Sequence, residues 1–205
     1  AHGVRRELAG AWGARVTMAA NRERLRLLPL LVLYAAVACY AAPSALVGDE
    51  GRYLGFARNL LQSTYSPPNA VNLWSGPGYP LVLAAGLWLG LPLLALRLLN
   101  AALLFLAVLF FHAALRSMTE GKTALRASWA FGLYPPFLYH LAYLLPETLA
   151  VALICAFGHR FLRFLGDAAG RWRDLALAAA FCAWLALAKV LFGYVILACG
   201  VLALA

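Results

Sequence analysis

Charge is scarce in this sequence. Asp, Glu, Lys and Arg together make up 12% of 205 residues, against roughly 25% in a soluble domain. So few charges cannot cover a water-facing surface, which excludes an ordinary soluble chain. Cysteine is sparse as well: Cys39, Cys155, Cys182 and Cys199 all lie inside apolar runs, with no Cys-x-x-Cys and no Cys/His spacing. No redox or zinc reading follows from them, and they read as small core residues. The formal charge of +9 comes without aromatic residues interleaved among the basic ones, so it does not read as a nucleic-acid surface. A secretory signal is also missing, because the first twenty-six residues are Arg-rich and the apolar run that follows is long enough to span.

What is present is hydrocarbon. Hydrophobic residues make up 64% and mean hydropathy is +0.80, in stretches separated by short charged pieces. That pattern predicts an all-α, polytopic membrane helix bundle. The expected organisation is a basic cytoplasmic segment, 1–26, followed by one transmembrane domain, 27–205. Arg5, Arg6, Arg15, Arg22, Arg24 and Arg26 precede the first span; Arg116, Lys122 and Arg126 form a second cluster; Arg160, Arg163, Arg171 and Arg173 form a third. Lys and Arg favour cytoplasmic loops, so all three clusters are expected inside, with the N-terminus cytoplasmic; the membrane itself is expected to be a bacterial plasma (inner) membrane. "MAANRERLRLLPLL" from Met18 has the form of a natural start, with an internal Met in an amphipathic helix as the other reading. The apolar ending suggests that the coding sequence continues past Ala205.

Parity then orders the spans. Leu27 to Val47 carries the chain outward and places Asp49 and Glu50 outside. Tyr79 to Ala95 and Leu98 to Leu115 cannot both span without moving the second basic cluster outside. Gly90 and Pro92 interrupt the former after about a dozen helical residues, roughly 18 Å and short of a ~30 Å core. It is expected as a juxtamembrane helix within an external loop, 48–97. In that loop "RYLGFARNLLQ" puts Tyr53, Phe56, Ala57, Leu60 and Leu61 on one face, predicting an amphipathic interfacial helix. Helices are expected at about Ala127 to Leu145 and Pro146 to Leu165. Leu175 to Ala205 is expected as a hairpin turning outside at Lys189, with a single tilted helix as the alternative. Trp74, Tyr79 and Trp88 read as aromatic-belt residues.

The outward-facing ionisable residues are therefore few: Asp49, Glu50, Arg52, Arg58, Arg97, Glu147, Lys189, with His140 nearby. Charge at membrane depth tends to mark a substrate site. A carboxylate beside basic groups can take a proton from an acceptor hydroxyl while a held phosphate leaves. Each residue also has a plainer reading. Asp49 and Glu50 suit the start of a helix, Arg97 an interface anchor, Glu147 a helix-start carboxylate, and Lys189 a snorkelling lysine.

Five stretches, in order, carry a resemblance: "GDEGRYLGFARNLLQ", "WSGPGYPLVLAAGLWLG", "LRLLNAALLFLAVLF", "YPPFLYHLAYLLPETLAVAL" and "LALAKVLFGYVIL". Together they resemble the GT-C glycosyltransferases, particularly the branch of protein O-mannosyltransferases and lipid A aminoarabinose transferases. The resemblance implies transfer of a sugar from a polyprenyl-phosphate donor to a hydroxyl on a lipid, glycan or protein acceptor. It implies Asp49 as catalytic base with Glu50 as its catalytic neighbour, Arg97 and Lys189 at the donor phosphate, and Glu147 as a second acidic position. A divalent cation, if used, would fall to Asp49 and Glu147. The sequence departs from the family in one loop, where Gly76-Pro77-Gly78 stands in place of His-Pro-Pro or Lys-Pro-Pro. The reading from another class is a non-catalytic scaffold or a small-solute or lipid transporter. Transporters place charge near the midplane and repeat their halves, and no internal repeat is found here.

Overall fold

The computed structural model describes residues 22–66, 75–166 and 171–204. Arg5, Arg6, Arg15, Met18 and Trp74 lie outside them. The described residues are helical, without a strand.

The first apolar run forms α1 (Leu28–Tyr40), with Pro29 in its first turn, where a missing N–H costs nothing. Leu30, Tyr34 and Ala38 recur every four residues and are fully buried, while Val32 and Tyr40 on other faces are exposed. The helix ends at Tyr40, seven residues short of the Val47 expected. Pro43 follows, and a proline pushes its predecessor out of helical conformation.

The segment "GRYLGFARNLL" belongs to α2 (Glu50–Leu61). Tyr53, Phe56 and Ala57 are buried as the periodicity requires, and Leu60 is partly buried, but Leu61 is exposed. The apolar face is covered by protein, not left for lipid: Tyr53, Leu54 and Ala57 share a core cluster with Tyr79, Leu83 and Ala84 of α3 (Gly78–Trp88). Tyr79 is thus buried and not a belt residue; Trp88 is exposed.

Gly90 takes φ +71°, a left-handed value that glycine adopts without penalty. Pro92 is extended. Between them they separate α3 from α4 (Leu93–Arg116), which starts five residues earlier than the Leu98 expected. At 24 residues α4 is about 36 Å long. Its Ala101, Leu104 and Val108 meet the α1 stripe in a second core cluster.

The expected helix over Ala127–Leu145 is instead broken into α5 (Gly121–Gly132) and α6 (Pro135–His140), followed by turns. Pro135 and Pro136 remove two consecutive donors, and Tyr134 before them is extended (ψ 117°), as a pre-proline residue should be. Tyr34 Oη donates to Gly132 O at 2.8 Å across the α1–α5 contact. A Cβ on Gly132 would lie 2.6 Å from that hydroxyl, so a larger residue would displace the Tyr34 side chain from its bond.

The helix α7 (Glu147–Gly166) follows Pro146 as expected and packs against both α4 and α8 (Arg171–Ala188). Lys189 is the single non-helical residue before α9 (Val190–Leu204). Ala186, Ala183 and Cys182 of α8 and Gly193, Ile196 and Leu197 of α9 line one groove, so the two helices run back to back as the expected hairpin. Among the described helices, α4 and α7 are long and apolar enough to cross a membrane.

Candidate active site

The starts of α2 and α7, the first turns of α4 and the α8–α9 turn meet at one end of the bundle. Glu50, the first residue of α2, is fully buried. Its carboxylate accepts from Val47 N at 2.7 Å and Leu144 N at 2.8 Å, and from Arg97 Nη2 at 3.4 Å. Arg97 is 4% exposed, and its Nη1 donates to Pro43 O at 3.0 Å. One buried ion pair thus ties α2, α4, the segment after α1 and the 141–146 connection together. A buried carboxylate is tolerated only with such partners.

Asp49 is placed differently. It occupies the N-cap position of α2, but its side chain makes no cap. The carboxylate is more than half exposed and pairs with Arg52 Nη2 at 2.6 Å. It lines a cavity of about 350 Å³ together with Tyr53, Tyr139, Tyr143 and Glu147. The Tyr53 phenol is raised above its ordinary range, first by burial and next by the Glu147 carboxylate. Tyr143 is raised by its hydrogen bond with Tyr139.

Glu147 opens α7 and lies on the wall of two cavities. Its Oε1 accepts from Lys189 Nζ at 2.9 Å, while its Oε2 is buried without a partner. The second cavity, about 220 Å³, is lined by His140, Glu147 and Lys189 with Phe137, Ile154 and Phe192 among others.

The Gly-Pro-Gly loop has a packing reason. A Cβ on Gly76 would stand 2.0 Å from Leu187 O, and one on Gly78 2.6 Å from Ala188 N. Backbone lies on backbone there, at the end of α8 that delivers Lys189. Trp184 Nε1 adds a hydrogen bond to Gly78 O at 3.2 Å. Substituting the more usual residues would push that helix end, and Lys189 with it, away.

The structure therefore brings Asp49, Glu147 and Lys189 to adjoining cavities and sets Glu50 and Arg97 behind them. Asn100 is the residue that sequence reasoning missed. It is 1% exposed; its Nδ2 donates to Tyr143 O at 2.6 Å. Its Oδ1 accepts from Thr148 Oγ1 at 3.0 Å and from Tyr79 Oη at 3.2 Å. That network fixes the strand of chain carrying Tyr143, Pro146 and Glu147. The available signal was position: an amide three residues after Arg97, hence on its helical face, in an otherwise apolar run. Tyr139 and Tyr143 were missed because the break at Pro135-Pro136 was.

Among the described residues, no three of His, Cys, Asp and Glu gather to hold a metal ion. Asp49 and Glu147 share a cavity wall, but a hard cation needs about six oxygens, so most would have to come from water or substrate.

No protein-family model matches the chain, and no curated protein matches it. Among solved structures, it is similar to the S. cerevisiae protein O-mannosyltransferase Pmt1-Pmt2 complex bound to the sugar donor, with a TM-score of 0.73 and 18% identity over 89% of this chain. The match spans 28% of that chain's length. The likeness shows the fold: an all-α membrane helix bundle resembling a GT-C transmembrane domain.

Proposed function

We propose that this chain forms the membrane-embedded half of a glycosyltransferase that moves a sugar from a polyprenyl-phosphate donor to an acceptor hydroxyl outside a bacterial plasma membrane. The observation that carries the reading is the shared cavity of Asp49 and Glu147, flanked by tyrosines and by Lys189, in a fold whose likeness is to an O-mannosyltransferase. Residues 27–205 act as one transmembrane domain, with 48–97 external and 1–26 cytoplasmic.

In this mechanism the acceptor oxygen attacks the anomeric carbon. The carbon–oxygen bond to phosphate breaks with its electron pair going to the phosphate, and the acceptor proton passes to Asp49. Attack from the face opposite the leaving group inverts the centre. Arg52, 2.6 Å away, orients the base. Lys189 holds the phosphate, and Glu147 orients Lys189. Glu50 and Arg97, buried and engaged with each other, act as positioning residues that hold the start of α2. No metal is required by these steps.

The test is Asp49→Asn in the full chain, in nanodiscs with a prenyl-phosphate sugar. Shape is kept and basicity lost, so turnover should fall by roughly 10²–10⁴-fold with donor binding nearly unchanged. Full activity in this variant would remove the assignment and return Asp49 to the surface ion pair it makes with Arg52.

A further inference from the structure

The inward stripe of α1 continues into the helical turn before it. Glu23, Leu27, Leu30 and Tyr34 recur at helical spacing, and the last three are buried in one core cluster. Leu27 keeps near-helical dihedrals, φ −90° and ψ −12°, so the register carries through. Glu23 extends the stripe as an ion pair: its Oε2 lies 3.0 Å from Arg116 Nε at the end of α4 and 3.5 Å from His112. That pair fixes the residue beside it. Arg24, Leu25 and Leu28 are exposed, and with Phe105 and Leu109 of α4 they line a cavity of about 400 Å³. Ligand sites run from roughly 300 to 1,000 Å³. Arg116, Arg160 and Arg163 at this end are each paired with Glu23 or Asp174, whereas Arg24 has no carboxylate partner among the described residues. The other four lining side chains are hydrocarbon. Leu109 and Phe105 lie about 10 and 16 Å before the end of α4, so the cavity runs from the membrane surface into the ~30 Å core, where a water-soluble partner does not reach. A second copy docked by two-fold symmetry would bring two arginine-rich faces together.

We infer that this cavity holds an anionic phospholipid of the leaflet at the basic end, with the Arg24 guanidinium donating to the phosphate diester and one acyl chain lying against Leu28, Phe105 and Leu109. A guanidinium matches two phosphate oxygens at once. In surrounding hydrocarbon the acyl chain gains only packing, so selectivity among lipids comes from the head. An anionic head is favoured there over a zwitterionic one, whose ammonium repels Arg24. Because the chain lies between α1 and α4, the bound lipid braces the start of one against the end of the other. The site is at the far end of α4 from Arg97, and it stands whether or not the transferase proposal does.

The experiment uses the full chain in detergent with dioleoylphosphatidylglycerol, dioleoylphosphatidylcholine and inorganic phosphate as probes, read by native mass spectrometry and by thermal unfolding. The unsubstituted protein should retain phosphatidylglycerol in preference to phosphatidylcholine, and phosphatidylglycerol should raise its Tm. Arg24→Gln should weaken phosphatidylglycerol by about tenfold, the loss of one charge-assisted contact, and remove most of the rise in Tm. Arg22→Gln removes the same charge from a position that does not line the cavity, and should keep most of both. Leu28→Trp fills the cavity from an exposed position and should displace the lipid. Equal retention of the two lipids would overturn the inference, since the contact would then be ordinary solvation by lipid. Equal losses in Arg24→Gln and Arg22→Gln would overturn it as well, leaving net charge alone as the cause. Unchanged retention in Leu28→Trp would overturn the placement of the acyl chain, and displacement of the lipid by inorganic phosphate would overturn the choice of a lipid. Selectivity seen only after removal of residues 1–21 would assign the cavity to that segment and overturn the inference too.

Discussion

The two ends of this bundle use charge in opposite ways. At the end where α4 and α7 finish, basic residues exceed acidic ones, and Asp174 and Glu23 both pair with arginines. Asp174 accepts from Arg160 at 2.8 Å and from Arg163 at 3.2 Å, and Glu23 pairs with Arg116 at 3.0 Å and lies 3.5 Å from His112. At the other end acids and bases are nearly matched, yet the pairing is uneven. Glu50 has its lone pairs filled and is sealed in, Asp49 is half-exposed on a cavity, and Glu147 keeps a buried oxygen unpartnered. Surplus positive charge is a means of orienting helices in a membrane. Unevenly satisfied carboxylates beside cavities are a means of binding and proton transfer. The difference separates the end that sets orientation from the end proposed to do chemistry.

The all-or-none way to break this comparison is topological. In a background lacking the four cysteines, Gln62→Cys and Thr119→Cys, both exposed positions, should label from opposite sides of the membrane. Labelling from the same side would undo the parity argument and the assignment of ends together.

Next in size is the buried pair. Arg97→Leu leaves the fully buried Glu50 without its cation, which should cost about 3–5 kcal/mol of stability, read by thermal unfolding in detergent. Glu50→Gln keeps an acceptor for Leu144 N and Val47 N and should cost less. Equal melting of Arg97→Leu and the unsubstituted chain would show that the pair does not hold this end together.

A smaller effect is expected from the Gly-Pro-Gly loop. Gly76→Ala forces a Cβ to within 2.0 Å of Leu187 O, and overpacking of that kind costs about 1–3 kcal/mol. It should also weaken donor binding through displacement of Lys189. Gly193→Ala, whose Cβ would meet Ala186 at 3.8 Å, is the matched control and should not lower stability, since alanine is the better helix former. The comparison sharpens if only the first variant affects donor binding.

The smallest effect is at the basic end. The Asp174 carboxyl is held below its ordinary range, chiefly by the Arg160 hydrogen bond. Its stabilising contribution is therefore fully present above the ordinary carboxylate pKa and lost as pH falls through the lowered folded value. The melting difference between the unsubstituted chain and Asp174→Asn should be constant near neutrality and shrink in acid. A difference that persists below the folded value would mean that the ion pairs are not its source.

Most of the helix inventory was legible because apolar runs, glycines and prolines act locally. The break at Gly90–Pro92, the start of α7 after Pro146 and the hairpin at Lys189 all follow from residues within a turn of the event. Pro135-Pro136 was equally legible and was passed over because hydropathy runs straight through it. The end of α1 was misplaced for the same reason, since 41–47 is apolar without being helical. Of the site, the ionisable residues could be found by scarcity, each being conspicuous in hydrocarbon. Their division of labour could not. Asp49 and Glu50 are adjacent, and nothing in the sequence says that one faces a cavity while the other is sealed.

By itself the sequence determined that this chain belongs in a membrane, where most of its helices lie, and which few charged residues could matter, because hydropathy and chain-breaking residues act over short spans. Tertiary structure alone decided that Glu50 and Arg97 are buried together while Asp49 and Glu147 share a cavity. It also decided that Gly76 and Gly78 are required by a helix end more than a hundred residues away. Those outcomes depend on which helix faces meet and which lone pairs are filled when they do, and contacts across that much chain exist only once the bundle has packed.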